Sequence, residues 1–327
     1  MKVLHLPLEV AGQVREMCKQ LTLHGIQSVG YNWRNSYFGY DDYVIQSDAY
    51  EMANALECAI SYFDIFHYHT GYTIFKDKSD VLMALDAGKK VVMHHRGNDV
   101  RLPSKAKKLN PYVYTGDSQP EEQIKKNLEF FSKHLKAAIV QDYELYDYVC
   151  DYYQNVYVLP RLINTKEMLP RYETEKSHPP LIVHAPTSKL FKGTEEIIKV
   201  VKALQQEIKF DFKLVELSTR SETLNWFQKA DIIIDQILCG AYGNVSVEGM
   251  ALGKPVVCYL RQDIQTRLPR ELPIISANPD TLYGKLKYLV QHSEYRRQKG
   301  KEGRAYVEKY HESSRVIRDL IDIYRSL

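Results

Sequence analysis

The chain lacks the marks of several protein classes before any motif is considered. Its 327 residues contain no run approaching the ~20 consecutive apolar residues that a membrane-spanning helix needs. The opening stretch MKVLHLPLEVAGQ has too short an apolar core, and too polar a sequel, for a secretion signal. Cysteine is scarce: Cys18, Cys58, Cys150, Cys239 and Cys258 are odd in number, widely spaced and form no CxxC. Neither a disulfide framework nor a thiolate metal site is therefore expected, and a reducing, cytoplasmic setting is. An excess of one charge is also missing. With 44 Lys and Arg against 41 Asp and Glu, the net charge of +3 does not call for nucleic acid. Basic residues do cluster at Lys105, Lys107 and Lys108 and from Arg296 to Arg304. Such runs can meet anionic lipid peripherally at the inner membrane face, or simply form solvated faces.

Familiar ligand motifs are absent too. No G-x-G-x-x-G follows the first apolar run, where His5-Leu6-Pro7-Leu8-Glu9-Val10-Ala11-Gly12-Gln13 stands instead, so a nicotinamide site is not indicated. GMALGKP is not a P-loop, because Glu248 occupies the place of its first glycine and Pro255 that of the magnesium-binding hydroxyl residue. No Asp-x-Asp occurs, which removes the usual holder of a metal for nucleotide phosphates. Four histidines, His67, His69, His94 and His95, fall at two predicted strand ends. Imidazoles of this number suit zinc, yet no carboxylate accompanies them in a ligand spacing, and the expectation is a hydrogen-bonded lining with no metal.

What is present is alternation. Apolar strands at Val3–Leu6, Ser28–Tyr31, Ile65–Tyr68, Lys90–His94 and Ala137–Gln141 are separated by helical patterns, the mark of parallel strands with crossover helices. A second series starts at Leu181–Val183 and continues through a helix at Thr194–Gln206, a strand at Phe212–Glu216, a helix at Glu222–Lys229 and a strand at Ile232–Ile234. The proline- and charge-rich stretch between them, 158–180, reads as a linker. The expected architecture is α/β, two doubly wound domains with their ligand in the cleft between them. The expected bounds are 1–160, 161–305 and a tail helix, 306–327, that crosses back to the first domain. Helical, amphipathic periodicity extends over the whole tail from Glu294.

The densest information lies between Asp231 and Cys258. An apolar strand runs into a small-residue loop (Gly240, Tyr242, Gly243, Asn244), a short helix carrying Glu248 in its first turn, and a Gly253-Lys254-Pro255 stop before a second strand. A helix start offers unpaired N–H groups and a positive dipole end to an anion, and Glu248 beside it is placed to accept hydrogen bonds from sugar hydroxyls.

YGNVSVEGMALGKPVV resembles the signature of retaining family 4 glycosyltransferases of the GT-B fold, two Rossmann-like domains facing across a cleft. HAPTSKLFKGTEEIIKVVKAL, VMHHRGNDVR, VLPRLINTKEMLP and GRAYVEKYHE resemble further segments of that family in the right order, so the likeness spans nearly the whole chain. The resemblance implies a nucleotide-sugar donor, a glycan, lipid-linked or small-molecule acceptor, and a role in cell-surface glycan, polysaccharide or glycoconjugate synthesis. Glu248 would hold the nucleotide ribose. The loop and helix start of Tyr242, Gly243, Asn244, Val245 and Ser246 would meet phosphate or sugar oxygens. Lys192, next to Gly193, and Lys189 would neutralise the leaving diphosphate without a metal cofactor. Gly12 would open the first domain's loop against that diphosphate, and His94 or His95 would face the transferred sugar. Two positions depart from the family pattern: Gly240 stands where a first acid is usual, eight before Glu248, and Thr187 where an arginine is expected. Asp235 lies too far upstream of Gly240 to replace that acid. Asp99 and Arg101 suit an ion pair within one loop. A nucleotide-sugar epimerase of the same fold, and a non-catalytic sugar-nucleotide-binding subunit, are the alternatives.

Overall fold

A computed structural model describes residues 1–34, 42–172 and 179–327, so 173–178 of the expected linker lie outside the described residues. The chain separates into two compact units, one made of Met1–Lys105, Asp117–Leu162 and Ser313–Leu327, the other of Ala106–Gly116 and Ile163–Glu312. From the N-terminus come β1 (Lys2–Leu6), α1 (Gln13–Leu23), β2 (Gln27–Asn32), β3 (Val44–Gln46), α2 (Ala49–Tyr62), β4 (Ile65–His69), α3 (Ser79–Asp86) and β5 (Lys90–His95). Then follow α4 (Pro103–Leu109), α5 (Glu121–His134), β6 (Ala137–Val140), α6 (Tyr143–Val149) and β7 (Asn155–Val158). These seven strands form one parallel sheet in the order β3-β2-β1-β4-β5-β6-β7. That is the doubly wound order, whose direction of winding reverses between β1 and β4. The central strands are buried on both faces, as in β6, where all four residues are apolar and buried. The short strands β3 and β7 escape the apolar-run signal, because β3 has one buried residue and β7 none.

The second series comprises β8 (Leu181–His184), α7 (Lys189–Lys192), α8 (Thr194–Leu204), β9 (Asp211–Leu214), α9 (Arg220–Lys229), β10 (Ile232–Ile234), α10 (Asn244–Ala251) and β11 (Val256–Val257). It ends with α11 (Gln262–Gln265), α12 (Leu282–Gln291), α13 (Ser293–Tyr310) and α14 (Ser313–Ser326). Its sheet is parallel in the order β11-β10-β8-β9, so winding reverses between β8 and β10. Apolar clusters cover both faces, one built on Ile233, Met250 and Val307, the other on Ile232, Ile234 and Leu286.

The helical tail expected from Glu294 onward is two helices, α13 and α14, and the break at His311 and Glu312 falls inside the expected 306–327 helix. Ile163 N–H donates to the His311 carbonyl at 2.9 Å and Thr165 N–H to the Glu312 carboxylate at 3.1 Å, which draws these two residues out of the helix. Val316, Ile317, Leu320, Ile321 and Tyr324 then form one apolar stripe that packs with Val3, Val14 and Met17 in the first unit's core. Two arginines of the basic run in α13 are tied into the fold. Arg296, 4% exposed, donates to the Leu289 and Val290 carbonyls at the end of α12. Arg304 donates to the carbonyls of Met168, Ala251 and Thr165 at 2.5, 2.8 and 3.0 Å. No described helix is long and apolar enough to cross a membrane.

Candidate functional site

In the second unit the reversal of winding brings together the loops after β8 and β10. Asp235 follows the last isoleucine of β10 and is fully buried. Its Oδ1 accepts from Lys192 Nζ at 2.5 Å, and its Oδ2 accepts from Gly243 N–H (2.9 Å), Ser246 N–H (3.2 Å) and Ser246 Oγ (2.7 Å). Burial alone would raise the Asp235 carboxyl, but Lys192 and the hydrogen bonds outweigh it and hold the group below the usual carboxylate range. Asp235 is the N-terminal cap of α10 supplied from outside the helix. The N–H groups of Asn244 and Val245 keep no hydrogen-bond partner among the described residues, and Asn244 Oδ1 is a buried, unpartnered acceptor. An open, doubly donating helix start remains there.

Sequence reasoning set Asp235 aside, since it weighed the residue only as a substitute for the missing sugar-side acid. The available signal was an acid placed directly after three buried isoleucines, which has to find a partner to be tolerated. Gly240 has a structural reason for not being an acid. Its φ is +88°, and a Cβ there would lie 2.7 Å from Cγ of Arg261, whose N–H donates to the Gly240 carbonyl at 2.9 Å. Gly193 is similarly fixed, with φ +77° and Ile237 Cγ1 2.7 Å from where a Cβ would stand.

Glu248 is the fifth residue of α10, in its second turn, because the helix begins immediately after Gly243. Its side chain is 16% exposed and accepts from Arg220 Nε at 3.1 Å. Desolvation raises its carboxyl despite that neighbour. Lys189 lies outside the buried cluster: its side chain is 56% exposed and its ammonium pairs with Glu216 at 2.5 Å. Lys192, by contrast, is 7% exposed and held against Asp235. Tyr242 directs its hydroxyl to His311 Nε2 at 3.1 Å, and Val245 packs into the core, so of Val245 only the backbone faces the helix start. Ser246 is fully buried and spends its hydroxyl on Asp235.

The first unit's reversal point carries a different chemistry. β1 and β4 align His5 with His67, and β4 and β5 align His69 with His94. Residues two apart on a strand share a face, so these four rings line one face of the sheet and His95 the other. His5 Nδ1 lies 3.0 Å from His69 Nε2, His67 Nε2 3.2 Å from His94 Nδ1, and His67 Nδ1 2.6 Å from the Tyr324 hydroxyl. Burial keeps the four imidazoles neutral, with His5 lowered to about 3 and the others well below the ordinary value. His95 instead joins Asp99 Oδ2 at 2.7 Å and the Tyr153 hydroxyl at 2.8 Å, with both ring nitrogens engaged. The expected Asp99–Arg101 pair is not formed. Asp99 holds His95 and the N–H groups of Arg96 and Gly97, while Arg101 makes a two-pronged pair with Glu144 at 2.9 and 2.8 Å.

Gly12 stands at the start of α1, as expected, but that helix start is closed. Glu9 Oε2 accepts from Arg15 N–H at 2.7 Å, and Gln13 N–H donates to the Val10 carbonyl. Among the described residues, His5, His67 and His69 form a trio whose ligand nitrogens all lie within 4.8 Å of one another. Their lone pairs are drawn into hydrogen bonds, and the Arg96 guanidinium lies 3.4 Å from His69 Nδ1, a poor setting for a second cation.

No protein-family model and no curated protein matches the chain. Solved structures do. HepE of Anabaena, in complex with UDP and glucose, is similar at TM-score 0.72 and 12% identity over 100% of both chains. Sucrose-phosphate synthase of Thermosynechococcus elongatus is similar at TM-score 0.70 and 12% identity, over 100% of this chain and 98% of that one. A glycosyltransferase of Rickettsia africae is similar at TM-score 0.70 and 15% identity, over 99% and 97%. The chain has the GT-B fold of two Rossmann-like units.

Proposed function

We propose that the chain is a retaining, metal-independent glycosyltransferase that moves a sugar from a nucleotide-sugar donor to a hydroxyl acceptor in cell-surface glycan or glycoconjugate synthesis. One coincidence carries the reading. The chain is alike over its full length to a glycosyltransferase holding UDP and glucose, and its own second unit presents Glu248 on a helix whose start keeps two free N–H groups. Glu248 accepts hydrogen bonds from the ribose hydroxyls. Asn244 and Val245 N–H meet the diphosphate, and Lys189 follows the charge that develops on it. Its pair with Glu216 is exposed and worth about 1 kcal/mol or less, so it exchanges partners readily. Lys192 is fixed by Asp235 and acts on the diphosphate only through the helix start that Asp235 holds. In the transfer the bond from the sugar's anomeric carbon to the diphosphate breaks and the acceptor oxygen bonds to the same face. The acceptor's proton passes to the departing phosphate oxygen. Charge-directed donors in a water-poor site supply the main stabilisation.

The test is a panel of nucleotide sugars incubated with the chain and candidate acceptor extracts. Release of a nucleoside diphosphate with a glycosylated product is expected. An epimerised donor without diphosphate release would make the chain an epimerase, and binding without turnover on any acceptor would make it a binding subunit.

A further inference from the structure

Arg96 is a guanidinium without an anion. It is 8% exposed, forms no ion pair among the described residues, and its Nε is buried without a partner. Its one side-chain hydrogen bond among the described residues is the 3.4 Å approach of NH2 to His69 Nδ1. Glu9 and Asp99 act on it only at a distance, and Arg161, itself paired with Asp142 at 2.9 Å, adds positive potential. A buried charge left unpaired costs several kcal/mol, so such a group is kept for a partner that arrives.

The neighbouring imidazoles point the same way. Arginine can only donate, so His69 Nδ1 accepts, and a neutral His69 then carries its proton on Nε2. That proton is given to His5 Nδ1, which leaves the proton of His5 on Nε2, an atom that is buried and unpartnered. The second relay ends alike. Among the described residues the Tyr324 hydroxyl has only His67 Nδ1 to donate to, His67 Nε2–H then donates to His94 Nδ1, and His94 Nε2–H is left buried and unpartnered. Three orphaned donors, Arg96 Nε–H, His5 Nε2–H and His94 Nε2–H, thus belong to residues at the carboxyl ends of β1 and β5, on either side of β4, where winding reverses and ligands of such sheets bind. Buried donors of this number call for an oxygen-rich, negatively charged group.

We infer that Arg96, His5 and His94 form an oxyanion subsite that receives the phosphate or carboxylate group of an anionic acceptor. The word acceptor rests on the transferase reading; the subsite does not. Titration of the full chain with inorganic phosphate, by calorimetry and in the presence of saturating UDP, tests both. Phosphate binding is expected in the presence of UDP, weakened about tenfold or more by Arg96→Gln and less by Arg96→Lys, given the strength of charged hydrogen bonds. In phosphate-free buffer Arg96→Gln should melt at the same temperature as the wild type or higher, because it removes an unpaired charge, and phosphate should stabilise only the wild type. Equal phosphate affinity in Arg96→Gln, or a lowered melting temperature without phosphate, overturns the subsite. One-for-one displacement of phosphate by UDP overturns the acceptor assignment and gives the subsite to the donor. Arg96-dependent phosphate binding in a chain that binds no nucleotide would leave the subsite standing and remove the transferase reading, whereas nucleotide turnover with no such binding would do the reverse.

Discussion

Two helices begin at reversal points of parallel sheets, α1 in the first unit and α10 in the second, and both starts are capped by a carboxylate of the chain itself. The two caps differ in kind. Asp235 is buried, anchored by Lys192, and takes Gly243 and Ser246 while leaving Asn244 and Val245 free. Glu9 has no ion-pair partner among the described residues, its Oε1 is buried and unpartnered, and its Oε2 sits on the start of α1, taking the Arg15 N–H. A cap held by a cation turns a helix start into a fixed anion cradle. A cap held only by N–H groups closes it. The subsite proposed for the first unit accordingly draws its donors from Arg96 and the histidines, not from the helix dipole.

The largest effect that would break this contrast is on stability. Asp235→Ala strands a buried ammonium and should cost about 3–5 kcal/mol in chemical denaturation, with much of the loss recovered when Lys192→Met is added. Glu9→Ala removes a cap of about 0.5–2 kcal/mol. Equal losses at the two sites would erase the distinction. Next come the two lysines. Lys189→Ala should lower turnover about 10²-fold with stability changed by no more than about 0.5 kcal/mol, whereas Lys192→Ala should chiefly destabilise the fold. The opposite assignment would return Lys192 to the diphosphate.

pH separates the caps by sign. Asp235, lowered by its partners, contributes stability that is present above its ordinary value of 3.8 and lost as pH falls through its folded value. Glu9 is raised by burial, so the native state binds its proton more tightly. Its contribution is fully present below 4.5 and is lost as pH rises through the raised folded value. Glu9→Gln should therefore gain on the wild type as pH rises above 4.5, and a melting series in which it gains only below that value contradicts the assignment. The smallest expected effect is none: EDTA should leave turnover unchanged, and a large loss would replace the lysine and helix start by a metal.

The alternation of strands and helices was legible because central parallel strands are apolar on both faces, as at Ile232–Ile234. The start of α10 was legible because a glycine loop before a helix has few other uses. The Lys192–Asp235 pair was not, since it joins residues 43 apart whose meeting depends on β8 and β10 being neighbours. His5 was missed for the same reason: only the β1–β4 register sets it beside His67. The pleat separates His94 from His95, but which face receives the rings depends on where α14 packs, through Tyr324. Arg296 and Arg304 read as surface charge because a sequence shows their charge and not the helix ends they cap.

The central claim, that the second unit holds a nucleotide by Glu248 and the open start of α10, is tested most directly by calorimetric titration of UDP into the wild type and Glu248→Ala. The account predicts binding by the wild type and a loss of about tenfold or more in the variant, the worth of hydrogen bonds to a charged group. Undiminished affinity in Glu248→Ala would contradict it.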